Sequence, residues 1–389
     1  MTRAPTRRVR AIIRGACGFG LAVGCAGLAA GCGTPTAATA AASPPTVTAP
    51  LSTALVTAQG TWAITVMGGP SGSASGFWQL FSRPAGASRW SLVTPPGVAD
   101  NGGLVAAGGS TSLLVGFRPS QNLSFSPLAM STDTGRTWTP GLLDARLAGT
   151  AGAIAVDPAG RILALRQDGG ITAAATAAAA AAGQWSPLTT RNALAASAPG
   201  RECGLLGLSA VSFGPNNAPM TAGSCARPGV AGVFTDTGGT WRSAGLVRPA
   251  GFGGARVQML GLASAASGHV ILLRAGNSAF AAWPDGTRWT VSAPLALGPA
   301  AVLASGSGPG GSAWLLLSGG RAEVISGPGG GWRAQPALPP RIVTLAPGPG
   351  GSYDALAVSG STLTVWRLTT TTWVKVQLIN VPIQYGSSS

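Results

Sequence analysis

The stretch Ser131-Thr132-Asp133-Thr134-Gly135-Arg136-Thr137-Trp138 returns in modified form further along the chain. A near copy is Thr235-Asp236-Thr237-Gly238-Gly239-Thr240-Trp241, preceded by Phe234, and a shortened relative is Pro284-Asp285-Gly286-Thr287-Arg288-Trp289. In such a segment the Asp accepts backbone N–H bonds within a tight turn, the Gly supplies a positive φ, and the Thr adds a local hydrogen bond. The three Asp residues are therefore predicted to form turns rather than to act as catalytic carboxylates.

Tryptophan extends this repeat along most of the chain. Residues 90, 138, 185, 241, 289, 332 and 373 are all Trp. Their spacing of about 47 residues is typical of propeller blades, whose repeats run at about 40 to 50 residues. Each Trp is expected to insert between neighbouring sheets, burying about 150 to 250 Å².

Between the tryptophans, short apolar runs flank turn-forming segments such as Asp157-Pro158-Ala159-Gly160 and Pro309-Gly310-Gly311. Each such unit reads as a hairpin of two buried strands. Together the two patterns predict an all-β chain, a β-propeller of seven four-stranded blades over residues 53–389. Six or eight blades remain possible, because the first unit is irregular. The ring is expected to close by strand exchange between the termini. A strand at 55–57 or the run 374–383 would complete a blade with the other terminus.

The pattern Ser-x-Asp-x-Gly-x-Thr-Trp resembles the Asp-box, or BNR repeat, of sialidases and related propellers. This resemblance implies the propeller fold and makes sialidase-like, exo-acting glycoside hydrolysis the first enzymatic hypothesis. Sialidases use three Arg, a Tyr activated by a Glu, and an acid/base Asp. This chain lacks their Arg-Ile-Pro type motif. The acids left outside the repeats are Asp100, Glu202, Glu323 and Asp354, together with the turn residue Asp157.

Composition agrees with a turn-rich β-protein. Of 389 residues, 60 are Gly and 30 are Pro, 46% are hydrophobic and only 9% are charged. This balance excludes an intrinsically disordered chain and disfavours long helices. The run 173–182, nearly all Ala, is expected to form a third strand plus a loop.

The N-terminal segment predicts export. Residues 1–31 combine an Arg-rich start with a short apolar run and small residues, as secretory signal peptides do. Cys32 directly follows Ala-Ala-Gly and resembles the lipobox of bacterial lipoproteins, in which the Cys becomes the first mature residue and carries lipid. Cys25, after Gly24, is a second candidate, and an uncleaved membrane anchor is the alternative. Residues 32–52, rich in Ala, Thr and Pro, are expected to tether the domain to the outer face of the cytoplasmic membrane.

Two cysteines remain, Cys203 and Cys225, an even pair in an oxidising compartment. A turn centred near Gly214 would place them opposite each other on antiparallel strands, within disulfide range. The pair is predicted to form a disulfide, with two free thiols as the alternative.

The net charge is +15, with 25 basic and 10 acidic residues, and about +10 once residues 1–31 are removed. The arginines are scattered and form no basic block, which argues against nucleic-acid binding. The single His, His269, is expected in an exposed turn, and one His without a Cys cluster excludes the usual zinc site. Neither a metal nor a cofactor is expected.

The sequence thus favours a monomeric, membrane-anchored lipoprotein of the cell surface. Its propeller is expected to act as a non-catalytic binding or scaffolding platform for an envelope protein or an anionic glycan or polymer. The alternative is the sialidase-like hydrolase.

Overall fold

The computed structural model describes residues 53–57, 60–68, 77–95, 104–108, 113–117, 127–142, 151–166, 168–265, 268–286 and 288–381. All of them belong to one structural unit, Pro44–Ser389. The predicted signal segment, the tether, Cys32 and Asp100 lie outside the described residues.

The described residues form seven antiparallel sheets, each built from four strands consecutive in the chain, and the fifth sheet has one additional short strand. Sheet 1 contains β1 (Thr53–Thr57), β2 (Gly60–Met67), β3 (Phe77–Pro84) and β4 (Ser91–Leu92); sheet 2 contains β5 (Leu104–Gly108), β6 (Leu113–Phe117), β7 (Pro127–Ser131) and β8 (Thr139–Leu142); sheet 3 contains β9 (Ala151–Val156), β10 (Ile162–Arg166), β11 (Gly170–Ala174) and β12 (Ser186–Thr190). Sheet 4 contains β13 (Leu205–Phe213), β14 (Pro219–Cys225), β15 (Ala231–Thr237) and β16 (Thr240–Val247); sheet 5 contains β17 (Val257–Ala265), β18 (Gly268–Ala275), β19 (Ser278–Asp285) and β20 (Arg288–Val291), with β21 (Leu295–Ala296) beside β19. Sheet 6 contains β22 (Val302–Ser307), β23 (Ala313–Leu317), β24 (Arg321–Ile325) and β25 (Arg333–Ala334); sheet 7 contains β26 (Ile342–Pro347), β27 (Tyr353–Ser359), β28 (Thr362–Leu368) and β29 (Trp373–Asn380).

The first strand of each sheet contacts the first strand of the next sheet, from β1 through β5, β9, β13, β17 and β22 to β26. β26 in turn contacts β1, so the first strands close a ring. This arrangement confirms the predicted all-β propeller.

The turns between first and second strands follow the local sequence. Pro309–Gly311 and Pro349–Gly351 each form a single 3₁₀ turn, with Gly310 and Gly350 at φ 71° and 63°. In the Asp157–Gly160 turn, the Gly160 N–H donates to the Asp157 carbonyl at 3.0 Å. Glycine suits these positions because positive φ costs it little.

The predicted closure by strand exchange is wrong for the described residues. β1 pairs with β2, and β29 pairs with β28, so each terminal strand stays in its own sheet. Four consecutive strands already complete every sheet, which leaves no gap for the other terminus to fill. The ring is closed by contacts between sheets 1 and 7, including a hydrogen bond of 3.0 Å from Gly68 N to Gly360 O.

The interpretation of residues 173–182 as strand plus loop is wrong in its second half. β11 ends at Ala174, and the helix α1 (Ala177–Ala181) follows. Alanine has the strongest intrinsic helix preference, and Thr176 caps the helix by accepting from Ala179 N at 3.1 Å. Two further short helices, α2 (Arg191–Ala196) and α3 (Ala198–Cys203), connect sheets 3 and 4. No helix in the described part of the chain is both long and apolar enough to span a membrane.

The repeat tryptophans connect neighbouring sheets, as predicted. Trp90 is buried, and the other six are half-buried. Trp138, which precedes β8, belongs to a core cluster with Trp62 and Leu80 of sheet 1. Trp289 of sheet 5 donates its indole N–H to Ala244 O of sheet 4 at 3.0 Å. The indoles therefore bind one sheet to the sheet before it.

The disulfide between Cys203 and Cys225 is present, with 5.3 Å between the Cα atoms. The prediction that both cysteines face each other across two strands is wrong, because Cys203 ends α3 and the strand partner of Cys225 is Leu205. The disulfide therefore joins the sheet 3–sheet 4 connection to the second strand of sheet 4. Gly232 allows this packing, since a Cβ there would lie 2.8 Å from Cys203 Sγ.

Candidate functional site

The strand order defines two ends of the ring. The lower end carries the turns between first and second strands and between third and fourth strands. The upper end carries the turns between second and third strands, together with the connections from sheet to sheet. Antiparallel pairing within each sheet places these two sets of loops on opposite faces.

The first repeat segment forms a closed set of hydrogen bonds at the lower end, between β7 and β8. Asp133 Oδ1 accepts from Thr137 N at 2.9 Å and from Ser131 Oγ at 2.9 Å, and Asp133 Oδ2 accepts from Thr137 Oγ1 at 2.6 Å. Gly135, at φ 87°, donates its N–H to Ser131 Oγ at 2.7 Å. The Thr137 hydroxyl and then its backbone N–H lower the pKa of Asp133 from its ordinary value of 3.8 to about 2. These contacts stabilise the turn and leave the Asp133 carboxylate without a catalytic role.

The lowered pKa predicts how this turn responds to acid. Because the folded-state pKa lies below the ordinary value, the turn's stabilisation is fully present above about pH 3.8 and is lost as pH falls through about 2. In ¹³C-aspartate NMR titrations we expect the Asp133 carboxyl to titrate near pH 2, with Asp133→Asn assigning the signal. Thr137→Val should move that midpoint upward, since it removes the largest contribution. A midpoint near 3.8 in the unmodified protein would contradict the hydrogen-bonded turn.

The second and third repeat segments differ from the first. Asp236 lies opposite Trp241 in the β15–β16 pair, which turns through Gly238 and Gly239 at φ 63° and 84°. Phe234 is buried where the first repeat has Ser131, so no hydroxyl is available to organise the turn. Asp236 Oδ1 is buried without a hydrogen-bond partner among the described residues. The segments are therefore similar in sequence but differ in the hydrogen bonds of their turns.

The third segment closes a short β19–β20 hairpin. Asp285 pairs with Arg288 in the strand register and accepts from Thr290 Oγ1 at 3.5 Å. The Asp285 side chain is exposed, and Gly286 takes φ 59°. Asp285 is thus the last residue of β19, directly before the turn.

Asp354, a candidate acid in the sequence, lies at the junction of sheets 1 and 7 and is 0% exposed. Its Oδ1 accepts from Arg367 Nε at 2.7 Å, and its Oδ2 accepts from Arg367 Nη2 at 3.0 Å and from the Trp90 indole N–H at 2.8 Å. Arg83 Nε lies 3.4 Å from Asp354 Oδ2. These partners occupy both carboxylate oxygens, so Asp354 joins sheet 1 to sheet 7.

The junction continues beyond Asp354. Arg83 Nη2 also donates to Pro347 O at 2.6 Å, and its guanidinium lies 5.6 Å from the centre of the Trp90 ring. Burial lowers the pKa of Arg83, and the neighbouring Asp354 opposes this effect. The backbone N–H of Trp90 donates to Gln377 Oε1, and Gln377 Nε2 donates to Trp90 O, both at 2.8 Å. Sheet 1 and sheet 7 are therefore joined by an ion-pair network as well as by apolar packing.

The remaining candidate acids are each engaged or isolated. Glu202 is exposed on α3, 3.8 Å from Arg248, and Glu323 is buried in β24, 3.4 Å from Arg321. Asp157 accepts from Arg161 N at 2.8 Å and Arg161 Nε at 3.2 Å, which confirms its role as a turn residue. Among the described side chains, no group of three or more His, Cys, Asp or Glu is arranged to hold a metal ion.

His269 lies in a strand, whereas the sequence predicted an exposed turn. It is half-buried in β18, opposite Ser264 in the strand register, and burial lowers the pKa of its imidazole. The strand begins at Gly268, one residue earlier, so the turn ends before the imidazole. The apolar run after His269 in the sequence indicates a strand at this position.

The upper end carries nine described arginines at strand ends and connections. Three of them have carboxylate partners: Arg166 lies 2.6 Å from Asp168, and Arg248 and Arg321 pair with Glu202 and Glu323. The others have no described carboxylate within salt-bridge distance; they are Arg191, Arg201, Arg227, Arg256, Arg274 and Arg341. The upper end is therefore strongly basic over sheets 3 to 7. The sequence does not show that these arginines lie at one end of the ring, because they are scattered along the chain.

No family model matches the chain, and no curated protein sequence matches it significantly. Its fold is similar to that of solved β-propellers. One is a protein from Lactobacillus plantarum, with a TM-score of 0.53 and 11% identity, covering 82% of this chain and 96% of that one. Another is the GH74 xyloglucanase from Xanthomonas campestris, with a TM-score of 0.52 and 17% identity, covering 83% of this chain.

This chain corresponds to 53% of that xyloglucanase, so it spans about half of the enzyme's length. YCF48 bound to D1 peptide aligns with a TM-score of 0.46 and 13% identity over 82% of this chain and 91% of that one. At these identities the similarities support the β-propeller fold alone. A shared fold does not determine function, so the function has to be argued from the residues of this chain.

Proposed function

We propose that the chain is an exported lipoprotein, anchored through Cys32 to the outer face of the cytoplasmic membrane. Its Asp-box propeller binds an anionic polymer of the cell envelope without catalysis. The tether of residues 32–52 holds the ring away from the membrane. The observation that supports the binding role is the set of upper-end arginines that have no carboxylate partner among the described residues.

The arginines favour an anionic partner for an electrostatic reason. Arg201, Arg227, Arg256 and Arg341 are exposed, and none has a described carboxylate within salt-bridge distance. Clustered charges of one sign raise the local concentration of an oppositely charged ligand and accelerate its binding. Guanidinium groups also form bidentate hydrogen bonds with carboxylates and phosphates. A linear polyanion can contact several of these loops at once.

A catalytic role receives less support. Asp354 is enclosed in the sheet 1–sheet 7 junction, and Asp133 and Asp157 are bonded within turns. Glu202 is exposed and faces Arg248 across 3.8 Å. A glycosidase needs two carboxyl groups on opposite sides of an open cleft. The structure gives none of these acids that setting.

Charge removal tests the proposal. We expect Arg227→Gln/Arg256→Gln/Arg341→Gln to weaken binding of the folded domain to polygalacturonate or long-chain polyphosphate by about tenfold or more, measured by biolayer interferometry at low salt. The control Arg89→Gln/Arg136→Gln/Arg242→Gln removes the same charge from exposed lower-end positions and should change the affinity less than about twofold. High salt should abolish the binding, because exposed charges are screened.

Equal losses in the two triple variants, or binding that persists at high salt, would contradict an upper-end polyanion site. Failure to bind either polymer, together with arginine-dependent capture of a purified envelope protein, would instead favour the protein-scaffold role.

A further inference from the structure

A groove of about 670 Å³ lies at the lower end, where sheets 3, 4 and 5 meet. Its walls come from the β13–β14 turn, the β15–β16 hairpin, the start of β18 and the β19–β20 hairpin, and include Asn216, Asn217, Asp236, His269 and Trp289. The volume falls within the range of about 300 to 1,000 Å³ that is usual for small-molecule sites. The groove lies on the face opposite the arginines of the proposed polyanion site.

Two polar atoms of these walls have no hydrogen-bond partner among the described residues. Asp236 Oδ1 and His269 Nδ1 are both buried atoms. Leaving a buried polar atom unpaired is unfavourable, and more so for a charged group. A ligand that donates a hydrogen bond to the Asp236 carboxylate would remove part of this cost. A buried polar group without a partner calls for a physical explanation, and a ligand that pairs with it is one such explanation.

The local sequence explains why Asp236 is available. In the first repeat, both oxygens of Asp133 are used by Ser131 and Thr137. In the second repeat, Phe234 replaces the serine, and the strand continues as far as Thr237 before the Gly238–Gly239 turn. Asp236 is therefore held in a β-ladder by backbone pairing, and its side chain is released from the turn.

The charges of the groove do not suit an anion. Its one arginine, Arg161, is already engaged, because Nε lies 3.2 Å from Asp157 Oδ2, another nitrogen donates to Asn217 O, and the guanidinium lies 4.8 Å from the Phe213 ring centre. Asp236 adds a negative charge. This combination suits a ligand that donates hydrogen bonds without carrying negative charge, such as a small neutral molecule with several hydroxyl groups.

The rest of the lining is suited to sugar rings. Trp289 has its indole N–H bound to Ala244 O, which fixes the ring orientation. The exposed Pro284 extends the apolar surface, and the buried Pro219 and Met220 also line the groove. Thr235, Thr237, Ser243 and Asn216 supply neutral hydrogen-bonding groups. An aromatic ring beside a few positioned polar groups can pack against the C–H face of a sugar and orient its hydroxyls.

We propose that this groove binds a neutral saccharide of one or two hexose rings, with a hydroxyl group of the sugar donating to Asp236 and one ring packing on Trp289. The proposal is independent of the upper-end polyanion site.

The test titrates the folded domain with cellobiose, maltose and the N-acetylglucosamine disaccharide, using calorimetry and ¹H–¹⁵N NMR. We expect saturable binding of at least one disaccharide, with shifts at residues 216–217, 235–238 and 268–269 and little dependence on salt. Asp236→Ala should weaken that binding by about tenfold or more, since it removes a hydrogen bond to a charged group. Salt-insensitive binding also separates this site from the polyanion site, whose binding salt should abolish.

Asp285→Ala is the matched control, because Asp285 holds the same position in the next repeat but does not line the groove. It should leave the affinity unchanged. His269→Phe provides a second test at a separate strand and should also weaken binding, while thermal melting verifies that each variant is folded. No binding of any of the three disaccharides would overturn the proposal, and so would binding that survives both Asp236→Ala and His269→Phe. Asp236-dependent binding of an Arg-rich peptide in place of a sugar would overturn it in favour of a peptide site.

Discussion

Replacing Asp354 with Ala should lower the free energy of unfolding by about 3 to 5 kcal/mol, the largest loss we expect from any single substitution. The carboxylate is fully buried and accepts from Arg367 and from the Trp90 indole, with Arg83 at 3.4 Å. Removing it leaves two guanidinium groups without their counter-charge at the sheet 1–sheet 7 junction. Because this junction closes the ring, the loss should appear as global unfolding at lower denaturant concentration.

Chemical denaturation followed by tryptophan fluorescence measures this effect. Asp354→Asn separates charge from shape, since the amide still fills the site but removes the negative charge, and it should also be strongly destabilising. The matched control is Glu202→Gln, which removes one partner of an exposed pair 3.8 Å apart. Exposed pairs contribute about 0 to 1 kcal/mol, so the control should unfold close to the unmodified protein. If Asp354→Ala and Glu202→Gln were equally stable, the junction would not be what closes the ring.

Loss of the Cys203–Cys225 disulfide should lower the free energy of unfolding by about 2 to 4 kcal/mol. The bond closes a loop with a sequence separation of 22, and both cysteines are 0% exposed. A cross-link of this kind restricts the unfolded chain, and it also holds α3 against β14. We expect the double variant Cys203→Ala/Cys225→Ala to show this loss in urea denaturation.

The cysteines of the N-terminal segment require a control for reductant. Unfolding and refolding the unmodified protein in reductant should reproduce most of the loss, whereas the double variant should not respond to reductant. An unmodified protein whose unfolding midpoint does not change on reduction would contradict a stabilising disulfide.

The local structure could be predicted from the sequence, because the residues that determine it are neighbours in the chain. The Pro-Gly-Gly turns at 309–311 and 349–351 and the apolar runs beside them fall where hairpins were expected. Likewise, the Ser131–Trp138 segment contains every donor and acceptor of its own turn. The spacing of the tryptophans then identified the fold class, since each four-stranded unit repeats the same pattern.

The run 173–182 forms the end of a strand and a short helix, where a strand and a loop were expected. The Ala-rich run has a strong helix preference, but a lone helix this short is marginal, and the strand assignment followed from that. The Thr176 cap and the packing of the helix decide in its favour. The position of Cys203 was missed for a related reason, because a short helix before β13 carries it. Both differences arise because a short helix forms where none was expected.

The sequence by itself determined the repeat, the hairpins, the turn of the first repeat segment and the pairing of the two cysteines, because each depends on residue types at short spacings. Only the tertiary structure decided which of the described acids are buried and which of the described arginines have a carboxylate partner. Trp90 and Asp354 are 264 residues apart in the chain yet share a hydrogen bond. Asp133 and Asp236 have similar flanking residues. Both oxygens of Asp133 accept hydrogen bonds, whereas Asp236 Oδ1 has no partner among the described residues. Burial and electrostatic partnership depend on the neighbouring sheet, and closure of the ring brings together residues whose separation in the chain gives no indication of contact.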